Sequence, residues 1–398
     1  MNGESEMRRH SLLQTGLLFI YGLAGTGMFG HGLLRPVLPI FARRLGATGL
    51  EVGLLTSGFM IARALTAYII GKHVDKTGHT NRFVRIGFFF VFVTVLAFSI
   101  INSYEGLLFL RFCQGVCFGL IWPTTQVMIA DLTKNHFRAR ALSLYQITGR
   151  LGALLSRILF SVILMITAGL GFSEIRSFRV IFLVGAVILL MGFIEAVFMP
   201  ATPRRTVKQV KGKPPYPVFI LGFIFGALLS LAPLSIVFLN EHFRVDLLGI
   251  AFILLGLDII SICVMYIVSH LSDRIGPGKS LWFVVAPTFI AALFLPFASG
   301  LIIFMGFYII LRSAISSFIP VSRAYATSIN TGVGANIGIL NMTTNLGSVV
   351  GPIIGGLAYD HFTHGFRIAG YSAIALLLIP AAVILGIPYL IRIFRRHS

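Results

Sequence analysis

Twelve long apolar runs follow one another along this chain, and they leave few folds open. They lie at about 14–42, 49–71, 83–102, 105–130, 141–169, 178–199, 217–239, 247–270, 280–298, 301–328, 334–358 and 366–391. Each is long enough to cross roughly 30 Å of hydrocarbon as a helix. Backbone in lipid has no water to bond, so a spanning segment must satisfy its own amides, which a helix does. The apolar–polar alternation of a membrane β-barrel is absent. With 57% hydrophobic and 11% charged residues, little is left over for a soluble domain. The expected fold class is an all-α integral membrane protein.

The formal charge of +19 invites a nucleic-acid reading, and its distribution argues against one. With the N-terminus inside, the inner segments hold nineteen Lys and Arg, including Lys72, Lys76, Arg82, Arg85, Arg138, Arg140 and the Arg392–Arg396 tail. The opposite loops hold six: Arg43, Arg44, Arg176, Arg179, Arg244 and Arg367. This asymmetry is the positive-inside pattern and predicts both termini in the cytoplasm. No basic stripe lies on a soluble module, so no nucleic-acid partner is expected. Met1–His10 is polar and leads into a first span too long for a cleaved signal peptide. Cys113, Cys117 and Cys263 all fall inside spans, with no histidine nearby in sequence. They read as small packing residues, and no disulfide framework or metal site is expected.

Pro200–Pro217 is polar and basic, with five prolines and no acid. It divides the chain into an N-terminal six-helix bundle (1–199), a cytoplasmic linker (200–216) and a C-terminal six-helix bundle (217–398). An internal repeat supports the division. Gly71-Lys72-His73-Val74-Asp75-Lys76-Thr77-Gly78 after span two is echoed 198 residues later by Ser269-His270-Leu271-Ser272-Asp273-Arg274-Ile275-Gly276 after span eight. Arg150-Leu151-Gly152 in span five is echoed by Asn345-Leu346-Gly347 in span eleven, at an offset of 195. Similarly oriented halves of this kind suggest parallel repeats with a binding site between them near midplane.

These motifs resemble those of the major facilitator superfamily, over essentially the whole chain. Gly71-x-x-x-Asp75-Lys76-x-Gly78 with Arg82 is similar to that family's loop signature between spans two and three. Arg111-x-x-Gln114-Gly115 resembles its span-four motif, and Arg138-Ala139-Arg140-Ala141 its basic loop before span five. Gly347-x-x-x-Gly351-Pro352 in span eleven resembles the Gly-Pro signature the family often carries in span five. The resemblance implies two pseudo-symmetric six-helix bundles and transport by alternating access. It also implies a gate in which Asp75 pairs with Lys76, Arg82 or a helix N-terminus, with Asp273 and Arg274 in the matching loop and Gly351 and Pro352 packing the helix. Gly71 and Gly78 are expected to form the tight turn between spans two and three.

Seven arginines lie inside the apolar runs: Arg35, Arg63, Arg111, Arg150, Arg157, Arg312 and Arg323. Charge in hydrocarbon is costly and tolerated where it meets a partner or a wet pathway. All seven fall on spans 1, 2, 4, 5 and 10, which the resemblance implies line the cavity. Arg35 and Arg323 are near span ends and can snorkel. Arg63, Arg150 and Arg157 are deepest, and seven-residue spacing places Arg150 and Arg157 on one helix face. Two roles stay open for these deep arginines: holding substrate charge, or bonding backbone carbonyls and pairing with Asp258. Aligned on the repeat, Ser156-Arg157 stands opposite Gly351-Pro352, where antiporters of the family commonly carry Gly-Pro. Glu195, near the end of span six, is expected to reach headgroup water.

An excess of arginine over acid suits a carboxylate, sulfate or phosphate, which Arg can bind bidentately. A small organic solute, anionic in preference, is therefore the expected partner besides the lipid bilayer. Export of neutral or cationic lipophilic compounds is the alternative, and a receptor or scaffold is the alternative of another class. No cofactor is expected. Proton coupling would fall to His31 or Asp258, the mid-span titratable groups. Tyr21, Trp122, Gln126, Asn341 and Asn345 complete the set that can meet a solute. No nucleotide-binding loop and no catalytic set appear, so an enzyme or ATP-driven pump is not expected. The protein is read as a monomeric, multi-pass plasma-membrane transporter.

Overall fold

The computed structural model describes residues 2–77, 80–133, 138–200, 216–328 and 333–381. Among these residues there are helices and turns and no strand. The first six helices are α1 (Asn2–Arg44), α2 (Gly49–Thr77), α3 (Thr80–Phe98), α4 (Tyr104–Leu132), α5 (Arg138–Gly169) and α6 (Glu174–Phe198). After the linker come α7 (Tyr216–Leu229), α8 (Ala232–Glu241), α9 (Leu247–Ile275), α10 (Pro277–Ser280) and α11 (Trp282–Phe294). The last are α12 (Leu301–Ser328), α13 (Val333–His361) and α14 (Gly370–Ala375).

Ten helical segments among the described residues are long and apolar enough to cross a membrane, and they coincide with the first ten apolar runs. The eleventh run is α13, and the described part of the twelfth is the apolar helix Gly370–Ala381. The protein is thus an all-α, multi-pass membrane protein. Span seven is broken at Ser230–Leu231 into α7 and α8, with Pro233 in the first turn of α8, where its missing N–H costs nothing.

Polar residues just ahead of several apolar runs set where those helices begin. Ser103, Ser173 and Asp246 accept from the amides of Gly106, Arg176 and Gly249, satisfying N–H groups that a first turn leaves orphaned. Thr48 and Glu51 form a reciprocal capping box at α2, with Thr48 N to Glu51 Oε2 2.7 Å and Glu51 N to Thr48 Oγ1 3.2 Å.

The chain separates into two compact units, Met1–Gly46 with Gly58–Val207, and Ala47–Ser57 with Lys208–Ser398. In the first, α1 lies along α5 and α6, while α3 lies against α4 and α6. In the second, α13 lies along α7, and both α9 and α11 lie against α12. The α1–α5 and α7–α13 pairs approach backbone to backbone. A Cβ on Gly152 of α5 would collide with the Gly25 carbonyl of α1, and one on Gly347 of α13 with the Phe223 carbonyl of α7. Small residues allow such contact where lipid supplies no hydrophobic drive between helices.

One expectation needs adjusting. Gly71 is not in the turn between spans two and three, because α2 continues to Thr77. The basic residues that follow Gly71 suit a helix C-terminus, so the helix runs on past the apolar stretch. Gly78, and the side chains of Asp75 and Lys76, lie outside the described residues. In the matching loop, Asp273 and Arg274 are exposed in the last turn of α9, and Gly276 supplies the positive φ of 87° that ends it. Glu195, near the end of α6, is half-buried. It accepts a 3.0 Å hydrogen bond from Thr26 Oγ1, and its carboxyl lies where a Cβ on Gly22 would stand.

Candidate functional site

The first unit gathers its polar groups around one imidazole. His31, on α1, is 3% exposed, stacks on Phe59 of α2 at 5.6 Å and meets the edge of Phe118 of α4 at 4.7 Å. Phe118 stacks in turn on Trp122 at 5.9 Å, and Trp122 meets Tyr145 of α5, whose hydroxyl shares a 2.7 Å hydrogen bond with Thr125. The Arg111 guanidinium lies 4.2 Å from the Phe59 ring centre, a cation–π distance, and that of Arg63 lies at 5.8 Å. Arg111 also donates to Gln114 Oε1, one turn along α4. The charges that act on His31 are those of Arg35, Arg111, Arg63 and Arg157, and all are positive.

Two polar atoms of this cluster are buried with no hydrogen-bond partner among the described residues: His31 Nδ1 and Gln114 Nε2. A buried polar atom left unpaired is costly. Both lie beside Arg111, which bridges Gln114 and the Phe59 face.

Arg157 joins the cluster from α5, buried to 9% exposure, and its Nη1 donates to the Gly32 carbonyl of α1 at 3.2 Å. Arg150, one heptad earlier, is exposed, as are Gln126 and Arg35.

The second unit holds a different arrangement. Arg312 of α12 lies 4.0 Å from Asp258 of α9, both part-buried. Tyr371 shares a 2.8 Å hydrogen bond with Ser235, and the Tyr308 hydroxyl, on the turn of α12 before Arg312, is buried without a partner among the described residues. Asn345 is half-buried on α13, while Gly351 and Pro352 are buried there. A Cβ on Gly351 would strike the Ala227 backbone of α7. The three cysteines are free thiols, and among the described residues no cluster of His, Cys, Asp and Glu could hold a metal ion.

Sequence reasoning missed the aromatic part of the first cluster, Phe59 and Phe118, and the Thr26–Glu195 hydrogen bond. One signal was available: Phe59 is four residues before Arg63, and so on the same face of α2.

The family model of the Major Facilitator Superfamily matches residues 17–329 and 218–397, together nearly the whole chain. The chain belongs to the major facilitator superfamily. Among curated relatives it is 22% identical to the quinolone resistance protein NorA of Staphylococcus aureus (strain MSSA476), covering 83% of this chain and 86% of that protein. It is 26% identical to multidrug resistance protein 1 of Bacillus subtilis (strain 168), again covering 83% and 86%. Among solved structures, a bacterial homolog of the human lysosomal transporter Spinster, inward-facing and occupied, superposes with a TM-score of 0.75. That match is 16% identical and covers 93% of this chain and 95% of the other, a likeness of fold. This superfamily member is a secondary membrane transporter of small molecules, not an enzyme.

Proposed function

We propose that this transporter carries a small amphipathic organic anion by alternating access, with its negative group held in the first unit by Arg111, Arg63 and Gln114. The apolar part of the solute would lie on Phe59, Phe118 and Trp122. The single observation that carries the reading is the pair of orphaned buried atoms, His31 Nδ1 and Gln114 Nε2, inside a cluster whose charges are all positive. Electrostatic complementarity favours an anion in such a site. Asp258, beside Arg312, and His31 are the groups assigned to proton coupling. The inner-loop excess of Lys and Arg supports a cell-membrane protein with both termini cytoplasmic. It would act as a monomer without a cofactor or nucleic acid, gated at the loops of Asp75, Lys76, Gly78, Arg82, Asp273 and Arg274.

The test is uptake into liposomes of three matched aromatic probes: benzenesulfonate, phenyl glucoside and benzyltrimethylammonium, with and without a pH gradient. Selective benzenesulfonate flux that rises with the gradient and is uncoupled by Asp258→Asn is the expected result. Preferential flux of the glucoside or the ammonium probe would overturn it. That outcome would favour a second reading, export of lipophilic compounds, for which the names of the two multidrug and quinolone resistance relatives speak.

A further inference from the structure

α1 is a helix from Asn2 to Arg44 that carries Pro36 and Pro39 in its interior. A proline has no N–H, so the carbonyl four residues earlier loses its helical donor. For Pro36 that carbonyl belongs to Gly32. In hydrocarbon no water is at hand to replace the lost bond, and a neighbouring helix must. The neighbour is α5, whose Arg157 Nη1 donates to Gly32 O at 3.2 Å. Donor and acceptor sit in a buried contact, with Ser156 Oγ packed where a Gly32 Cβ would stand and itself donating to Ala153 O at 2.6 Å. His31, the centre of the cationic and aromatic cluster, is the residue next to Gly32.

We propose that Arg157 is a positioning residue, whose guanidinium supplies the hydrogen bond that Pro36 removes from α1 and so fixes the backbone that presents His31. The repeat-related helix α13 carries no arginine at the matching position. There the proline, Pro352, is in α13 itself and Gly351 packs on the α7 backbone. In the first unit α1 carries Pro36 in its interior, and α5 carries a donor in place of Gly-Pro. A guanidinium suits the task because it presents several N–H groups in a fixed fork, one of which serves the carbonyl.

The experiment is a double-substitution cycle in the full chain: Arg157→Gln, Pro36→Ala and both together. Pro36→Ala restores a backbone N–H four residues after Gly32. The first readout is amide hydrogen exchange across residues 31–40 in detergent, which needs no solute. Exchange is expected to quicken about tenfold in Arg157→Gln alone and to differ by less than about twofold between Pro36→Ala and the double variant. The second is benzenesulfonate uptake, split into KM and maximal rate, with the same pattern expected and with rescue by Arg157→Lys. This arm alone rests on the proposed anion, so a wild-type protein that ignores benzenesulfonate fails that reading and leaves the exchange result to decide this one. Equal exchange penalties for Arg157→Gln with and without Pro36 would overturn the proposal. Uptake lost in both backgrounds, with KM raised, would instead make Arg157 a direct solute contact and overturn it too.

Discussion

The polar centres of the two units are built on the same kind of scaffold and charged differently. In the first, Arg111 rests on the Phe59 ring and on Gln114, and every charge acting on His31 is positive. In the second, Arg312 has Asp258 at 4.0 Å and tyrosine hydroxyls around it. The supporting pairs, α1–α5 and α7–α13, differ in the same sense. The second is closed by Gly351 and Pro352, whereas the first substitutes Ser156 and Arg157 and takes up the lost space at Gly32. A repeated helix pair thus keeps its close backbone approach while the charge of its centre is free to diverge. One unit gathers arginines around His31, and the other carries an internal counter-charge.

Arg111→Ala puts this contrast at greatest risk. It removes the cation from the Phe59 face and orphans Gln114 Oε1, so benzenesulfonate uptake is expected to fall by about a hundredfold. A fall of less than about threefold would remove the distinction between the two centres. Next in size is Gly347→Val on α13. Its side chain meets the Phe223 carbonyl, which cannot move without breaking α7, and the melting midpoint in detergent should drop by an amount equivalent to about 2 kcal/mol. Gly152→Val on α5 should cost as much, since the Gly25 carbonyl stands in the same relation to it. Unequal losses would show that only one pair depends on backbone contact.

The smallest effect belongs to the loops. Arg44 and Glu174 form a 2.7 Å ion pair between the ends of α1 and α6, with side chains 38% and 31% exposed. Glu174→Gln should change stability by no more than about 0.5 kcal/mol, because solvent screens such pairs. Glu241, which joins Arg367 at 3.4 Å and also accepts from Tyr359 at 2.9 Å, should cost more when replaced by Gln. Equal effects at the two positions would show that the tyrosine bond adds nothing.

Much of this was legible in the residues. Lipid demands internal backbone satisfaction, so the apolar runs alone predict helices, and the helices lie where those runs lie. The cost of charge in hydrocarbon made the intramembrane arginines conspicuous at once. Helix rotation was not legible. Arg150 and Arg157 share a heptad face, yet one is exposed and the other is buried against a carbonyl of α1. Glu195 has the spacing of a snorkelling residue, and its bond from Thr26 of α1 could not be read from that spacing. Gly71 sits in a turn motif and is helical.

The residues alone were enough to name the solvent this protein lives in and the helices that solvent requires. Those follow from local chemistry, position by position. Which atoms the charges meet was left to packing: the orphaned Gly32 carbonyl for Arg157, an aromatic face for Arg111, an acid for Arg312. Partner choice depends on which faces neighbouring helices turn to one another. That is set by close packing at a few glycines far apart in sequence, and no local pattern encodes it.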